Sequence, residues 1–99
     1  AKEISIMKKN VLIINTARGN LVSEIDLCDA IKKNNIGGVA LDVFSEEPAN
    51  NNILFGLENV LLTPHIAAST VEAQIIVAEM IANQFVDYFL DNKINNSVI

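Results

Sequence analysis

In the stretch VLIINTARGN, residues 11–20, a continuous apolar run passes directly into a polar turn. Residues 11–14 are all valine, leucine or isoleucine. A strand that is apolar on both faces is typical of the centre of a parallel sheet that helices cover on both sides. We therefore predict a central parallel strand here, ended by Asn15 and followed by a polar loop.

Helices are predicted on both sides of this strand along the chain. Residues 1–9 favour a short helix, with Ile4 and Met7 on one face and lysines on the other. Ser23 is a good N-cap for a second helix, and Asp26 stands where a capping box has its acid. The buried stripe of this second helix is predicted to contain Ile25, Cys28 and Ile31.

The remaining segments continue the alternation of strands and helices. Strands are predicted at residues 39–43 and 60–63, with a polar loop at 45–52 between them. A long helix is predicted over residues 70–91. Its apolar stripe comprises Val71, Ile75, Ala78, Ala82, Phe85 and Phe89. This order of elements predicts an α/β protein with half of a doubly wound parallel sheet and flanking helices.

Composition excludes several classes of function. The chain has 99 residues and a net charge of -5, and its seven basic residues are scattered, which argues against a nucleic-acid partner. The most apolar long segment, residues 75–90, contains Glu79 and Asp87, so no membrane span is predicted. The single cysteine, Cys28, cannot form an internal disulfide, which favours a reducing cytoplasmic setting.

Polar clusters follow all three predicted strands, where open α/β sheets bind their ligands. The first is residues 15–19, the second begins at Asp42 and includes residues 46–48, and the third is residues 63–70. Because the carboxyl ends of parallel strands share one edge, the clusters would bring together a guanidinium, one or two carboxylates and the only imidazole of the chain. No metal site is predicted among them.

This set of groups suits the reduction of a 2-oxo acid. Arginine offers a planar fork for a carboxylate or a carbonyl oxygen. Histidine can donate a proton near neutral pH, and a neighbouring carboxylate favours its protonated form. The hydride would have to come from a cofactor.

Taken singly, each residue also has a simpler interpretation. Arg18 could be a surface charge, and His65 could pack against a turn. Glu46 and Glu47 could be solvated, and Asp42 could be either a loop-closing acceptor or a ligand contact. The residues alone leave these alternatives open.

Three ordered segments change that judgement: VLIINTARGNLVSEIDLCDAI at 11–31, GGVALDVFSEEP at 37–48 and NVLLTPHIAAST at 59–70. In sequence and spacing they resemble the signature segments of the D-isomer-specific 2-hydroxyacid dehydrogenases, whose nucleotide-binding domain has a Rossmann-type fold. ASTVEAQ at 68–74 and ANQFVDY at 82–88 look more like the phosphoglycerate dehydrogenase branch. That branch oxidises 3-phosphoglycerate to 3-phosphohydroxypyruvate in serine biosynthesis.

The resemblance implies a catalytic role for three residues. Arg18 matches the arginine that holds the substrate carboxylate and 2-oxo oxygen. His65 matches the acid/base histidine that protonates the carbonyl oxygen as hydride arrives. Glu47 matches the glutamate that pairs with this histidine and favours its protonated form, whereas Glu46 lies one position too early and would be exposed.

The resemblance also implies NAD as cofactor. Asp42 matches the acidic residue that contacts the nicotinamide carboxamide, and the backbone of Thr16 and Ala17 would line the nicotinamide pocket. The sequence has no Gly-x-Gly-x-x-Gly motif. Residues 1–99 are therefore expected to be the C-terminal part of an NAD-binding domain, without its glycine-rich half and without the substrate domain.

As such a fragment, the chain alone is expected to bind NAD weakly and to show no turnover. The full-length protein is expected to be a homo-oligomer, a dimer or tetramer, that acts on a small 2-hydroxy or 2-oxo acid. Two alternatives remain: another reductase of the family, for hydroxypyruvate or glyoxylate, or a non-catalytic NAD-binding protein like the family's corepressors. Activity of the full-length protein, and its loss in His65→Gln, would distinguish an enzyme from a corepressor.

Overall fold

The computed structural model describes residues 1–98, which fall into two compact units. Ala1–Ala67 form the first unit, and the second begins at Ala68. The described elements are, in chain order, α1 (Lys2–Ser5), β1 (Leu12–Asn15), a short 3-10 helix (Gly19–Leu21), α2 (Glu24–Lys32), β2 (Gly38–Leu41), β3 (Val60–Leu62) and α3 (Val71–Asp91). The predicted alternation of strands and helices is confirmed.

The three strands of the first unit form a parallel sheet in the order β1-β2-β3. β2 lies in the middle, with Asn15 opposite Leu41 and Leu41 opposite Leu62. All three strands therefore end at the same edge of the sheet, which confirms the predicted convergence of their loops.

One face of this sheet is packed against α2. Val39 and Leu41 lie on that face and are 4% and 3% exposed. They belong to a core with apolar residues of α2, and the buried members of that helix are Leu27, Cys28, Ala30 and Ile31. Cys28 is thus the buried apolar side chain that the sequence indicated.

The prediction that β1 is a central strand covered on both faces was wrong for the described sheet. β1 lies at an edge, and Leu12 and Ile14 are 67% and 70% exposed. Successive side chains of a strand point to opposite faces, and α2 covers the face of Ile13 and Asn15. The apolar run indicated burial but not which elements of this chain would provide it.

The helices differ from prediction in three details. α1 ends at Ser5, and Met7 is exposed whereas Ile4 is buried. Ile25 is 73% exposed, because the buried stripe of α2 runs through Leu27, Cys28 and Ile31 instead. Ser23 does cap α2 by accepting a hydrogen bond from the Asp26 amide at 3.3 Å.

The second unit is dominated by α3, which begins after Thr70 and ends before Asn92. The Thr70 hydroxyl accepts a hydrogen bond from the Ala73 amide at 3.0 Å, and Asn92 has the left-handed conformation typical of a helix end. Phe85 and Phe89 of the predicted stripe stack on each other, although no α3 side chain is buried. Within residues 1–98, no helix combines the length and apolarity needed to cross a membrane.

Candidate active site

The centre of the candidate site is a contact between a carboxylate and the imidazole. Glu47 Oε2 lies 2.5 Å from His65 Nδ1. Glu47 follows β2 and His65 follows β3, so the contact joins two loops at the carboxyl edge of the sheet. Both side chains are partly exposed, at 33% and 48%. The two side chains are hydrogen-bonded to each other, and both remain accessible to a ligand.

Glu47 is held by a second hydrogen bond from its own loop. The Phe44 amide donates to Glu47 Oε1 at 3.0 Å, so each carboxylate oxygen has one partner. The hydrogen bond with His65 lowers the pKa of Glu47 most, followed by that from Phe44, and the positive charge of Arg18 acts in the same direction. Glu47 is therefore ionised at neutral pH and prefers a protonated imidazole beside it.

A cleft of about 510 Å³ opens beside this pair. Glu47 and His65 line it together with apolar side chains, among them Phe44, Pro48, Phe55 and Leu62. An apolar cleft with a few convergent polar groups is the usual form of a small-molecule site. Low polarity also strengthens the interaction between the carboxylate and the imidazolium.

Arg18 lies in a turn that Asn15 shapes from the end of β1. The Asn15 side chain is 7% exposed, donates to the Arg18 carbonyl at 2.8 Å and accepts from the Ala17 amide at 3.0 Å. Asparagine often bonds the backbone two or three residues on in this way. In the sequence Asn15 marks the end of the strand and the start of a polar cluster, and this tendency of asparagine could also have indicated the turn.

Gly19 brings the Arg18 turn against the loop that carries Glu47. A Cβ on Gly19 would lie 1.9 Å from the backbone carbon and oxygen of Phe44, so only glycine permits this approach. Arg18 Nη1 donates to the Ala17 carbonyl at 2.6 Å, and its side chain is exposed. Arg18 thus lies at the same carboxyl edge of the sheet as the Glu47–His65 pair, and its guanidinium hydrogen-bonds to Ala17 and to neither member of the pair.

Asp42 closes the loop that carries His65. Its carboxylate accepts hydrogen bonds from the Thr63 hydroxyl at 2.6 Å and from the amides of Ile66 and Ala67, both at 2.8 Å. These partners bracket His65, whose φ of 54° is unusual for a residue other than glycine. Asp42 is only 4% exposed, so its geometry suits the loop-closing interpretation, and a contact with nicotinamide remains a prediction.

Asp42 is expected to make stability depend on pH in the acid range. The Thr63 hydroxyl and the Ile66 and Ala67 amides hold the pKa of Asp42 below its usual value. A carboxyl group whose pKa is lower in the folded state than in the unfolded state stabilises the fold at pH values above its unfolded-state pKa. This contribution is lost as the pH falls through the folded-state pKa. Asp42→Asn should therefore lower the urea midpoint more at pH 7 than at pH 3.

Urea unfolding followed by circular dichroism at both pH values checks this expectation. Asp29→Asn, an exposed residue of α2 that pairs with Lys33 at 2.8 Å, is the matched control and should change the midpoint little. An equal loss at both pH values in Asp42→Asn would contradict the assignment of the stabilising form to the carboxylate.

The other predicted residues lie around this centre. Thr16 and Ala17 are exposed in the turn after β1, at the carboxyl edge of the sheet, and their contact with nicotinamide stays a prediction. Glu46 is exposed, as expected. Among residues 1–98, no group of three His, Cys, Asp or Glu side chains is arranged to hold a metal ion.

The chain is similar in sequence to proteins of one known family. The family described as "D-isomer specific 2-hydroxyacid dehydrogenase, NAD binding domain" matches residues 1–67, in agreement with the predicted cofactor. D-3-phosphoglycerate dehydrogenase of Methanocaldococcus jannaschii is 46% identical over 98 residues, which cover 95% of this chain and 19% of that protein. Glyoxylate reductase of Thermococcus litoralis is 45% identical over 87 residues, which cover 88% of this chain and 26% of that protein.

A solved structure of similar fold also comes from a 2-oxo acid reductase. A glyoxylate reductase from Paecilomyes thermophila matches with a TM-score of 0.75 and 32% identity, over 98% of this chain and 30% of that chain. The present chain thus spans between 19% and 26% of the length of the two curated relatives.

Proposed function

We propose, since this chain belongs to the D-isomer specific 2-hydroxyacid dehydrogenase family, that it supplies the acid–base part of an NAD-dependent active site. The reaction is the interconversion of a D-2-hydroxy acid and its 2-oxo acid. The observation that carries the proposal is the 2.5 Å contact between Glu47 Oε2 and His65 Nδ1 at the edge of the sheet. The complete site would include the segments that the relatives have outside the matched region.

The geometry supports separate roles for the two paired residues. With Nδ1 held by Glu47, the other ring nitrogen of His65, Nε2, is the one that can face a substrate. In reduction it donates its proton to the carbonyl oxygen, and in oxidation it takes the proton back from the hydroxyl. Glu47 favours the imidazolium before transfer and fixes the orientation of the ring.

Arg18 and the turn before it would position the reactants. The guanidinium can donate two parallel hydrogen bonds, to the substrate carboxylate and the 2-oxo oxygen. Bound NADH would supply the hydride. Thr16 and Ala17 would hold its nicotinamide end, and Asp42 would contact the carboxamide with the part of its carboxylate that the His65 loop leaves free.

We propose 3-phosphohydroxypyruvate and 3-phosphoglycerate as the substrate pair, which would place the protein in serine biosynthesis. The 46% identity to D-3-phosphoglycerate dehydrogenase supports this choice. A reductase for glyoxylate or hydroxypyruvate is the second candidate, because glyoxylate reductase of T. litoralis is 45% identical. A cytoplasmic location and a homo-oligomeric assembly belong to the same proposal.

The test is NADH consumption by a polypeptide that contains this chain together with the segments its relatives have outside it. The substrates are 3-phosphohydroxypyruvate, hydroxypyruvate, glyoxylate and pyruvate at equal concentration. Preference for the phosphorylated acid is the expected result. Preference for an unphosphorylated acid would favour the second candidate, and no turnover with any of them would contradict the proposed function.

A further inference from the structure

Glu24 is a charged residue to which the proposed mechanism gives no role. It is the first residue of α2 and is partly buried. Its carboxylate accepts three hydrogen bonds, from the Ser45 amide at 2.7 Å, the Ser45 hydroxyl at 3.1 Å and the Asn52 side-chain amide at 2.9 Å. All three donors lie more than 20 positions away along the chain, so these bonds are tertiary contacts.

These partners are the two ends of the loop that carries Glu47, residues 45–52. Ser45 is where the chain enters the loop, directly after Phe44, and Asn52 is where it leaves. Asn52 is itself fixed, because its Oδ1 accepts a hydrogen bond from the amide of Leu54, a fully buried residue. One carboxylate therefore closes the loop at both ends.

The entry of this loop is held from two sides. Gly19 lies against the Phe44 carbonyl, and Glu24 holds the next residue through the Ser45 amide. The Phe44 amide in turn donates to Glu47 at 3.0 Å. A displacement at Ser45 would thus be transmitted to the carboxylate that touches His65.

The bonding pattern calls for a carboxylate at position 24. Three donors face two oxygens, and an ionised carboxylate presents acceptors only, whereas glutamine would turn an NH₂ group towards part of them. Hydrogen bonds to an ionised acceptor are also about twice as strong as neutral ones. Glutamine at position 24 should therefore preserve some of these hydrogen bonds, and alanine none of them.

We propose that Glu24 is a positioning residue that clamps the 45–52 loop so that Glu47 stays on His65. This inference rests on the proposed function for its catalytic meaning. The alternative is that Glu24 only tethers a surface loop, in which case its removal would loosen the loop tip and leave the Glu47–His65 contact unchanged.

The first test is a carboxyl-carbon NMR titration of Glu47 in the 99-residue chain. Loss of the clamp in Glu24→Ala should raise the pKa of Glu47 towards the ordinary value for glutamate, because the bonds from His65 and Phe44 that lower it would be weakened. Glu24→Gln should give an intermediate value. Asp29→Ala, which also removes a carboxylate from the surface of α2, is the matched control and should leave the titration of Glu47 unchanged.

A variant with a smaller change guards against loss of folding. Ser45→Ala removes one of the three bonds and keeps the Ser45 amide, so it should shift the Glu47 titration in the same direction by less. His65 is the only histidine of the chain, so its ring signals report the same contact without ambiguity. An unchanged Glu47 titration in folded Glu24→Ala overturns the proposal. If Glu24→Ala does not fold, an unchanged Glu47 titration in Ser45→Ala overturns it instead.

Turnover provides the second test, in the longer polypeptide used for the substrate assay. Glu24→Ala should lower kcat about 10- to 100-fold, since a misplacement of about 1 Å can cost about 100-fold. The KM for NADH should change little, and Glu24→Gln should restore part of the rate. Absence of turnover in the unmodified protein would count against the proposed function alone, because the NMR titration does not depend on activity.

Discussion

His65→Gln is expected to reduce kcat for 2-oxo acid reduction by about 10²- to 10⁴-fold, the usual contribution of general acid–base catalysis. Glutamine can occupy the position and donate a hydrogen bond, but it cannot transfer a proton to the carbonyl oxygen. Its side chain would also lose the ionic contact with Glu47, which in the wild type measures 2.5 Å. The measurement is a single-turnover assay of NADH oxidation at saturating substrate.

Two controls separate chemistry from folding and binding in this variant. The dissociation constant for NADH should stay within a few-fold of the wild type, because in the proposed mechanism His65 contacts the substrate and not NADH. Lys32→Ala, an exposed change at the end of α2, should leave kcat unchanged. A loss of less than about tenfold in His65→Gln would show that another group delivers the proton.

Arg18→Lys is expected to lower kcat/KM for the 2-oxo acid by about 10- to 100-fold. This loss corresponds to the free energy that one hydrogen bond to a charged group contributes. Lysine keeps the positive charge, but a point charge cannot reproduce two parallel bonds from a planar fork. Most of the loss should lie in the KM of the acid, because the carboxylate is bound in the ground state as well as in the transition state.

The measurement for Arg18 is steady-state kinetics with the preferred acid of the substrate panel. Arg18→Ala should be worse than Arg18→Lys, and added guanidinium should recover part of the activity of the alanine variant. Equal kcat/KM in wild type and Arg18→Lys would contradict a bidentate role. It would instead suit the interpretation of Arg18 as a surface charge.

Much of the site could be predicted because its residues follow strands. The apolar runs at residues 11–14 and 60–62 indicated parallel strands, and parallel strands end at one edge, so Arg18 and His65 had to lie on the same side. The pairing of Glu47 rather than Glu46 with the imidazole came from the family resemblance. The structure gives Glu47 that contact and leaves Glu46 exposed.

Burial was less predictable, because an apolar pattern does not say what will cover it. Ile25 and Met7 fitted helical stripes yet are exposed, and Leu12 and Ile14 lie on the uncovered face of the sheet. Which face of a strand or helix is buried depends on contacts between distant segments. Local periodicity contains no information about those contacts.

The hydrogen bonds by which Glu24 and Asp42 hold their loops could not be predicted, because they join residues that are distant along the chain. Glu24 is one of two acidic residues in the first turn of α2, a position where any acid suits the helix dipole, so the local sequence does not single it out. Its partners are 21 and 28 positions away. Asp42 was left undecided between closing a loop and contacting a ligand, because its three donors come from residues 63–67.

Glu47 and His65 are proposed to act as one acid–base unit, and the decisive experiment is the pH profile of Glu47→Gln. The hydrogen bond with His65 lowers the pKa of Glu47, so in the proposed mechanism loss of this carboxylate should confine fast reduction to lower pH. We predict that the alkaline limb of kcat for reduction moves to lower pH in Glu47→Gln, while Glu46→Gln keeps the wild-type profile. An unchanged profile in Glu47→Gln would contradict the account, because the residue in contact with His65 would then not govern its proton.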